Sequence, residues 1–153
     1  MRRGLCVVAL ALLFPAAAAA YTNAGWQLAL YWPANGTVTS PFGLDGYRQH
    51  AGLDIGILRS LDIRAASAGV VTQVGYLAGY EGYGSVVIVT HREGYTTLYA
   101  HLSRTLAHVG QEVWQGDRIG VAGCTGSCTG THLHFELRHR NVAFDPSLLL
   151  GGY

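Results

Sequence analysis

The chain has no lysine and few charged residues of either sign. Charged side chains make up 12% of its 153 residues, the formal net charge is +1 at pH 7, and all 10 lysine or arginine positions hold arginine. Binding to the phosphates of a nucleic acid requires a basic surface. This composition argues against such a surface, so we predict no nucleic-acid partner.

The sequence also lacks an apolar run that is clearly long enough to span a bilayer. The apolar stretch 5–14 follows Arg2 and Arg3 and leads into the alanine run 16–20. A spanning helix needs about 20 apolar residues, whereas a basic start, a short apolar stretch and small residues are typical of a cleaved signal peptide. We predict a signal peptide at 1–20, export to the periplasm or beyond the cell, and no stable membrane span after cleavage. An uncleaved membrane anchor is the alternative.

Convincing segments with the 3.6-residue period of an amphipathic helix are missing from the rest of the chain. It has 21 glycines, and its apolar stretches are short and separated by turn residues, which is typical of antiparallel strands. Strands are predicted at 37–40, 68–74, 85–90, 95–102, around Val113 and Ile119, and at 133–137, with loops at 44–49 and 75–84. We predict one all-β domain of antiparallel sheets over 35–150, preceded by a short lead at 21–34.

Cysteine is scarce as well. Of the three, Cys6 lies in the predicted signal peptide, which leaves Cys124 and Cys128 in the exported chain. An oxidising compartment favours a disulfide between them, which would close a short loop and stabilise the fold by roughly 2 kcal/mol. The loop leads into His132 and is expected to fix where the next strand begins. Zinc binding by the two thiolates is the alternative, although one close pair does not make a four-cysteine site.

Two histidines, His132 and His134, alternate with apolar residues near the end of the chain. On a strand they project from one face, with Cα atoms roughly 7 Å apart. This spacing favours a division of labour, in which one ring binds a metal and the other acts on what the metal binds. A pair of surface histidines is the alternative. The other face holds Leu133, Phe135 and Leu137 and is predicted to join the core.

Glu136 shares the face of the two histidines. A carboxylate there can orient a metal-binding imidazole through a hydrogen bond. A surface salt bridge with Arg138 or Arg140 is an equally good interpretation.

His50 and Asp54 form a second pair. Gly52 between them argues against a helix, and in a straight strand the two side chains would be about 13 Å apart. Both can bind one ion only if the backbone bends, which glycine permits. The alternative is a loop histidine near a solvated aspartate.

His101 follows Tyr99 by two residues. We predict both on one face of a strand, with Leu98 and Ala100 in the core. A half-exposed histidine on an edge strand is the alternative.

Taken together, His50, Asp54 and His134 are candidate zinc ligands, because two imidazoles and one carboxylate leave a fourth tetrahedral position open. His101 and His132 are then the candidate catalytic imidazoles, able to accept a proton or stabilise an oxyanion. The chain has neither a His-Glu-x-x-His helix nor a Gly-x-Ser-x-Gly elbow. The remaining histidines, which we predict to be structural or exposed, are His91, His108 and His139.

These pieces resemble the lysostaphin-type (LytM-type) zinc peptidases, which cleave peptidoglycan peptides. The motifs follow the order and spacing of that family over residues 35–148. They are Thr39-Ser40-Pro41-Phe42-Gly43, His50-Ala51-Gly52-Leu53-Asp54-Ile55, Gly82-Tyr83-Gly84, Tyr99-Ala100-His101-Leu102, Gly110-Gln111-Glu112-Val113, Gly120-Val121-Ala122-Gly123 and Gly130-Thr131-His132-Leu133-His134-Phe135-Glu136.

The resemblance implies an all-β, barrel-sandwich-hybrid-like fold with an open active-site groove. It implies one zinc ion per chain on His50, Asp54 and His134, with His101 and His132 as catalytic imidazoles beside the water that the zinc activates. The implied function is that of an exported zinc metalloendopeptidase, which hydrolyses amide bonds in peptidoglycan stem peptides or cross-bridges.

The chain departs from the family pattern at two places. Cys124 and Cys128 stand where family members usually carry other small or polar residues, and Thr131 stands where proline is frequent. Two other functions stay open: a non-catalytic LytM-type domain that binds cell wall or activates an amidase, and an exported hydrolase with another substrate. We expect a monomer that binds peptidoglycan peptides. A wall-targeting protein or an amidase is a further possible partner.

Overall fold

The computed structural model describes residues 28–45 and 48–151, and within these ranges the fold is all-β. The strands are β1 (Thr37–Ser40), β2 (Gly43–Asp45), β3 (Arg48–His50), β4 (Leu53–Gly56), β5 (Asp62–Arg64), β6 (Gly69–Tyr76), β7 (Ser85–Thr90), β8 (Tyr95–Ala100), β9 (Leu102–Thr105), β10 (Glu112–Val113), β11 (Arg118–Ala122), β12 (Leu133–His139) and β13 (Val142–Phe144). Short 3₁₀ turns lie at Glu81–Tyr83, Arg92–Gly94 and Pro146–Leu148.

The strands form three antiparallel sheets. The largest has eight strands in the order β1-β4-β12-β8-β7-β6-β10, with β13 paired to β12. A second sheet has the order β5-β11-β9, and β2 and β3 form a separate hairpin. The predicted antiparallel all-β fold is thus confirmed.

The main core joins side chains of the two larger sheets. The apolar face of β12 belongs to it as predicted, because Leu133, Phe135 and Leu137 are buried. Ile63 of β5 and Ile119 of β11 are buried in the same cluster. Burial of this face sets which residues of β12 point the other way, and these are His134 and Glu136.

Three predicted elements differ from the structure. The expected loop 75–84 begins later, because β6 continues through Tyr76. The expected loop 44–49 belongs instead to the β2–β3 hairpin. The expected strand 95–102 ends at Ala100, because His101 adopts φ of +60° and the chain turns before β9 begins.

As a consequence of this turn, Tyr99 does not share a face with His101, and that expectation was wrong. Tyr99 is fully buried in the main core, where its ring lies 5.3 Å from that of Phe135. Leu98 and Ala100 are buried in a smaller cluster on the other side of the large sheet.

The predicted signal peptide at 1–20 and the first part of the lead, 21–27, lie outside the described residues. Residues 28–34 pack into the domain: Leu28 and Leu30 join the main core, and Leu30 pairs with Leu150. Among the described residues, none belongs to a helix that is both long and apolar enough to cross a membrane.

Candidate metal centre and catalytic histidines

The three predicted ligands converge. His50 Nε2 lies 3.2 Å from Asp54 Oδ1 and 3.1 Å from His134 Nδ1, and Asp54 Oδ1 lies 2.8 Å from His134 Nδ1. Ligand atoms that lie 2.0–2.2 Å from one tetrahedral zinc ion are roughly 3.3 Å from each other. The triangle of these atoms therefore fits one such ion, and the three residues form a possible metal site.

Strand pairing explains two of these positions. Asp54 of β4 and His134 of β12 are directly opposite each other in the antiparallel register. Side chains at such positions leave the sheet on the same face, close together. The sheet thus delivers one carboxylate and one imidazole to a single point, although the two residues are 80 positions apart.

The third ligand arrives through a bend at Gly52, as predicted. The reason for glycine there is a close approach rather than an unusual backbone angle. A Cβ at Gly52 would overlap the carbonyl oxygen of Phe135 in β12. The absence of a side chain lets the chain pass against β12 and return His50 to within 3.2 Å of Asp54.

Hydrogen bonds behind the rings set the tautomers of both histidine ligands. His50 Nδ1–H donates to the carbonyl of Pro41 at 2.7 Å, and His134 Nε2–H donates to Glu136 Oε1 at 3.0 Å. The nitrogens that face each other, His50 Nε2 and His134 Nδ1, then carry lone pairs, as does the carboxylate of Asp54. Three acceptors around one point require a positive charge between them, and this arrangement fits a metal cation.

The ionisation of these groups agrees with a site that favours positive charge. A proton on His134 Nδ1 can take the place of such a cation: burial acts to lower the pKa of His134, but hydrogen bonds to the Asp54 and Glu136 carboxylates outweigh it and raise that pKa. Burial likewise acts to raise the pKa of Asp54, yet its hydrogen bond to His134 and the nearby imidazoles lower it.

His101 and His132 lie beside the three ligands. Their ring centroids are 4.7 Å apart, and His132 Nε2 is 3.7 Å from Asp54 Oδ1. All five predicted site residues line one cavity of about 330 Å³. The structure therefore brings the whole predicted set together.

The tautomers of these two rings are set by backbone carbonyls. His101 Nδ1–H donates to Thr125 O and His132 Nδ1–H donates to Gly130 O, both at 2.8 Å. Each ring is left with Nε2 as the nitrogen that can exchange a proton in the cavity. Burial lowers the pKa of His101, although its hydrogen bond to Thr125 opposes this shift.

Glu136 is fully buried, so the alternative of a salt bridge at the surface is wrong in its location, and the carboxylate is hydrogen bonded to an imidazole, as the other interpretation requires. Its carboxylate accepts hydrogen bonds from His134, from the Tyr83 hydroxyl at 2.7 Å and from Arg138 Nε at 2.5 Å. Arg138 also donates to the Tyr80 hydroxyl at 2.9 Å. These bonds outweigh burial and lower the pKa of Glu136, which keeps it an anion behind the ring of His134.

The sequence analysis assigns no role to Tyr83, and it offers Arg138 only as a partner of Glu136 in a surface salt bridge. Burial and the Glu136 carboxylate raise the pKa of Tyr83 to about 12, so its hydroxyl stays protonated and donates. The Gly82-Tyr83-Gly84 motif was the only available signal for this residue. The sequence places Arg138 two residues from Glu136, but no local pattern predicts that Glu136 is buried behind the ring of His134.

Cys124 and Cys128 are joined as a disulfide, with Cα atoms 5.5 Å apart. The alternative of a cysteine-ligated zinc is not supported, because the metal-binding group found among the described residues contains only His50, Asp54 and His134. The loop ends at a hydrogen bond from His132 N–H to Gly123 O, directly before β12.

The other histidines are structural or exposed, as predicted. His91 is buried, His139 stacks on Tyr95 with ring centroids 4.4 Å apart, and His108 is exposed.

An antiparallel β fold that holds a possible His-Asp-His metal site beside two further imidazoles fits the metallopeptidase class of protein. The family model described as "Peptidase family M23" matches residues 48–146. The chain belongs to peptidase family M23, and its resemblance to the lysostaphin type is confirmed.

Known proteins share this domain. The chain is 39% identical over 116 residues to the Escherichia coli "Uncharacterized lipoprotein YgeR", covering 75% of this chain and 44% of the relative. It is 37% identical over 115 residues to "DD-carboxypeptidase/endopeptidase Mpg" of Neisseria meningitidis serogroup B, covering 71% and 26%. The chain thus spans less than half the length of these curated relatives.

Among solved structures, the antimicrobial peptidase lysostaphin from Staphylococcus simulans superposes with a TM-score of 0.69 at 28% identity. The match covers 80% of this chain and 52% of lysostaphin.

Proposed function

We propose that this protein is an exported zinc metalloendopeptidase that hydrolyses amide bonds in peptidoglycan stem peptides or cross-bridges. The observation that carries the proposal is the convergence of the lone pairs of His50, Asp54 and His134 beside two imidazoles with fixed tautomers. Membership of peptidase family M23 supports the reaction class. The name of the Neisseria relative, an endopeptidase and DD-carboxypeptidase, supports the substrate class.

The proposed cofactor is one zinc ion on His50, Asp54 and His134. Bound there, zinc would act as a Lewis acid and make water a usable nucleophile near neutral pH. The carboxylate of Glu136 holds His134 with its Nδ1 lone pair toward the site, and Pro41 O does the same for His50 Nε2.

The two remaining imidazoles transfer protons and stabilise the charge that develops on the substrate. His101 is neutral because burial lowers its pKa, so its Nε2 accepts a proton from the attacking water and later delivers it to the leaving amine. His132 is proposed to face the substrate carbonyl, where a proton on its Nε2 can be donated to the carbonyl oxygen as negative charge develops. Both rings keep their orientation because Nδ1–H of each donates a hydrogen bond to a backbone carbonyl.

Residues 1–20, proposed as a signal peptide, would direct the chain out of the cytoplasm. The periplasm or the cell exterior is where peptidoglycan is accessible, so location and substrate agree. We propose that the protein acts as a monomer, with its groove in direct contact with wall peptides.

Digestion of purified cell walls by the zinc-loaded protein tests the proposal. We expect about one zinc per chain, release of soluble wall fragments, and loss of both after treatment with a chelator. Mass spectrometry of the fragments would identify the bond that is cleaved. A metal-loaded protein that leaves every wall preparation intact would contradict the proposal, and an inactive His134→Ala variant that still performs the cellular role would favour an amidase-activating function.

A further inference from the structure

His101 is held in an unusual backbone conformation at the turn between β8 and β9. Its φ of +60° lies in the left-handed region, which costs free energy for a residue other than glycine. Its N–H donates to Tyr83 O at 2.9 Å, and its carbonyl accepts from Thr125 N–H at 3.5 Å. The ring adds a third contact, from Nδ1–H to Thr125 O at 2.8 Å. Thr125 therefore touches His101 at both its backbone and its side chain.

Thr125 itself is fixed by the surrounding chain. Its hydroxyl accepts from Ser85 N–H at 3.0 Å and donates to Leu102 O at 2.9 Å. Gly84 packs against it so closely that a Cβ at Gly84 would overlap Thr125 backbone. The carbonyl that orients His101 thus belongs to a residue that is anchored to two strands.

Beyond Thr125, the loop is held by backbone packing and by its disulfide: Gly126 lies close against the backbone of Gly82 and Gly84. Cys124, Gly126 and Ser127 are exposed, and the loop contributes no side chain to either hydrophobic cluster. Its ends are tied by the Cys124–Cys128 disulfide, and Ser127 N–H donates to Gly82 O at 2.9 Å. A covalent tie across five residues removes conformations that would carry Thr125 O away from His101.

We propose that the disulfide-closed loop 124–128 is a positioning element that holds His101 in the Nδ1–H tautomer, with Nε2 directed to the cavity. This inference rests on the proposed function, since it gives the loop a role in catalysis by His101. The loop orients His101 through the hydrogen bond to Thr125 O, and the disulfide contributes by limiting the conformations of the loop. Reduction of the disulfide should therefore slow turnover without releasing the metal from His50, Asp54 and His134.

The full-length protein with Cys124→Ser and Cys128→Ser tests this role beside the wild type, each measured with and without a thiol reductant. We expect kcat on wall peptides to fall about tenfold or more in the double variant and in the reduced wild type, because small misplacement of a catalytic group is costly. KM should change less than twofold, zinc should stay at about one per chain, and the reductant should not affect the double variant further.

Nitrogen NMR of the zinc-loaded protein gives a readout that does not depend on activity. In the wild type His101 should be protonated at Nδ1, whereas the double variant should show a mixture of tautomers. Thr125→Val, which removes the two hydroxyl bonds, should shift the tautomers in the same direction, and Thr125→Ser, which keeps them, should match the wild type.

An unchanged kcat together with an unchanged His101 tautomer after reduction would overturn the proposal. Simultaneous loss of zinc and activity would also overturn it, because the disulfide would then support the whole domain rather than one ring. If the wild type proves inactive on every wall preparation, the proposed function fails, while the tautomer comparison still decides whether the loop positions His101.

Discussion

The direction of single hydrogen bonds decides what each histidine of the site can do. The four rings are chemically alike, but they donate hydrogen bonds from different nitrogens. His134 donates from Nε2 to a carboxylate, whereas the other three donate from Nδ1 to backbone carbonyls. An imidazole presents a lone pair on the side opposite its bonded N–H. His134 thus offers Nδ1 to the centre, and the others offer Nε2.

The different roles proposed for His132 and His134 lead to a first prediction. His134→Ala should lose zinc and activity together, because a ligand is removed. His132→Ala should keep about one zinc per chain but lose activity, because only a group for proton transfer or charge stabilisation is removed. Metal content and wall hydrolysis measured on the same samples check this. If His132→Ala lost zinc and His134→Ala kept it, the assignment would be reversed.

The buried carboxylate of Glu136 leads to a second prediction. Glu136→Gln should weaken zinc binding by roughly 10–100-fold, because the neutral amide orients and polarises His134 less well. Competition with a chelator of known affinity measures the effect. Glu112→Gln, which changes an exposed glutamate elsewhere, is the matched control and should bind zinc like the wild type. Equal affinities for the two variants would show that Glu136 does not support the ligand.

Strand pairing, rather than local sequence, builds the centre. Asp54 and His134 meet because β4 and β12 are antiparallel neighbours in one register. A shift of the register by one residue would send one of them to the opposite face. Gly52 is required for this arrangement, because the chain before β4 packs so closely on β12 that a side chain at this position would overlap its backbone.

Gly52→Ala should therefore disturb the site through the backbone. The added Cβ would overlap Phe135 O, so the segment that carries His50 must move, and we expect both a lower unfolding temperature and weaker zinc binding. Gly151→Ala is the control, because nothing lies within 4 Å of a Cβ there. Thermal unfolding and chelator competition on both variants would settle the point; equal behaviour would mean that the close approach tolerates a methyl group.

Several strands could be predicted from the chain, and others could not, for identifiable reasons. The strand Ser85–Thr90 and the alternation in β12 follow directly from apolar patterns. The β2–β3 hairpin has strands of three residues, too short for a period to be visible. The turn at His101 is missed because nothing local marks a histidine as left-handed; the contacts that hold it come from Tyr83 and Thr125.

For the molecule as a whole, the buried histidine His91, which lies outside the site, is expected to couple stability to pH. His91 donates from Nδ1 to Ala68 O at 2.8 Å and is hydrogen bonded through Nε2 to the Thr97 hydroxyl at 2.9 Å. A further bond of 3.0 Å joins the hydroxyls of Thr97 and Tyr99. Burial lowers the pKa of His91 below its ordinary value of 6.5, despite the opposing hydrogen bond to Ala68.

Because the folded pKa of His91 lies below the unfolded value, the unfolded chain takes up the proton first. The contribution of His91 to stability is complete above pH of about 6.5 and is lost as pH falls through the folded pKa. His91→Asn keeps a donor for Ala68 O but does not titrate.

We therefore predict that the difference in unfolding free energy between the wild type and His91→Asn narrows as pH falls below about 6.5. Denaturant unfolding at several pH values measures this difference, in which the titration of the other groups cancels. A difference in unfolding free energy between the wild type and His91→Asn that stays constant with pH would contradict this prediction.

Metal should also stabilise the entire fold, because its ligands come from β3, β4 and β12. Free zinc at 100 times its dissociation constant is expected to add about 2.7 kcal/mol to the unfolding free energy. Chelation should lower the thermal unfolding temperature of the wild type and leave that of His134→Ala unchanged. A chelator effect of equal size on both proteins would place the stabilising metal elsewhere.

The sequence by itself determined which residues are candidates for the site and which face of β12 enters the core, because residue type and a period of two are local properties. The family motifs in their order added the division between ligands and catalytic imidazoles. Only the tertiary structure decided the rest: the triangle of acceptor atoms, the tautomer of each ring and the burial of Glu136. These depend on contacts such as those of His50 with Pro41 and His101 with Thr125, which no local pattern encodes.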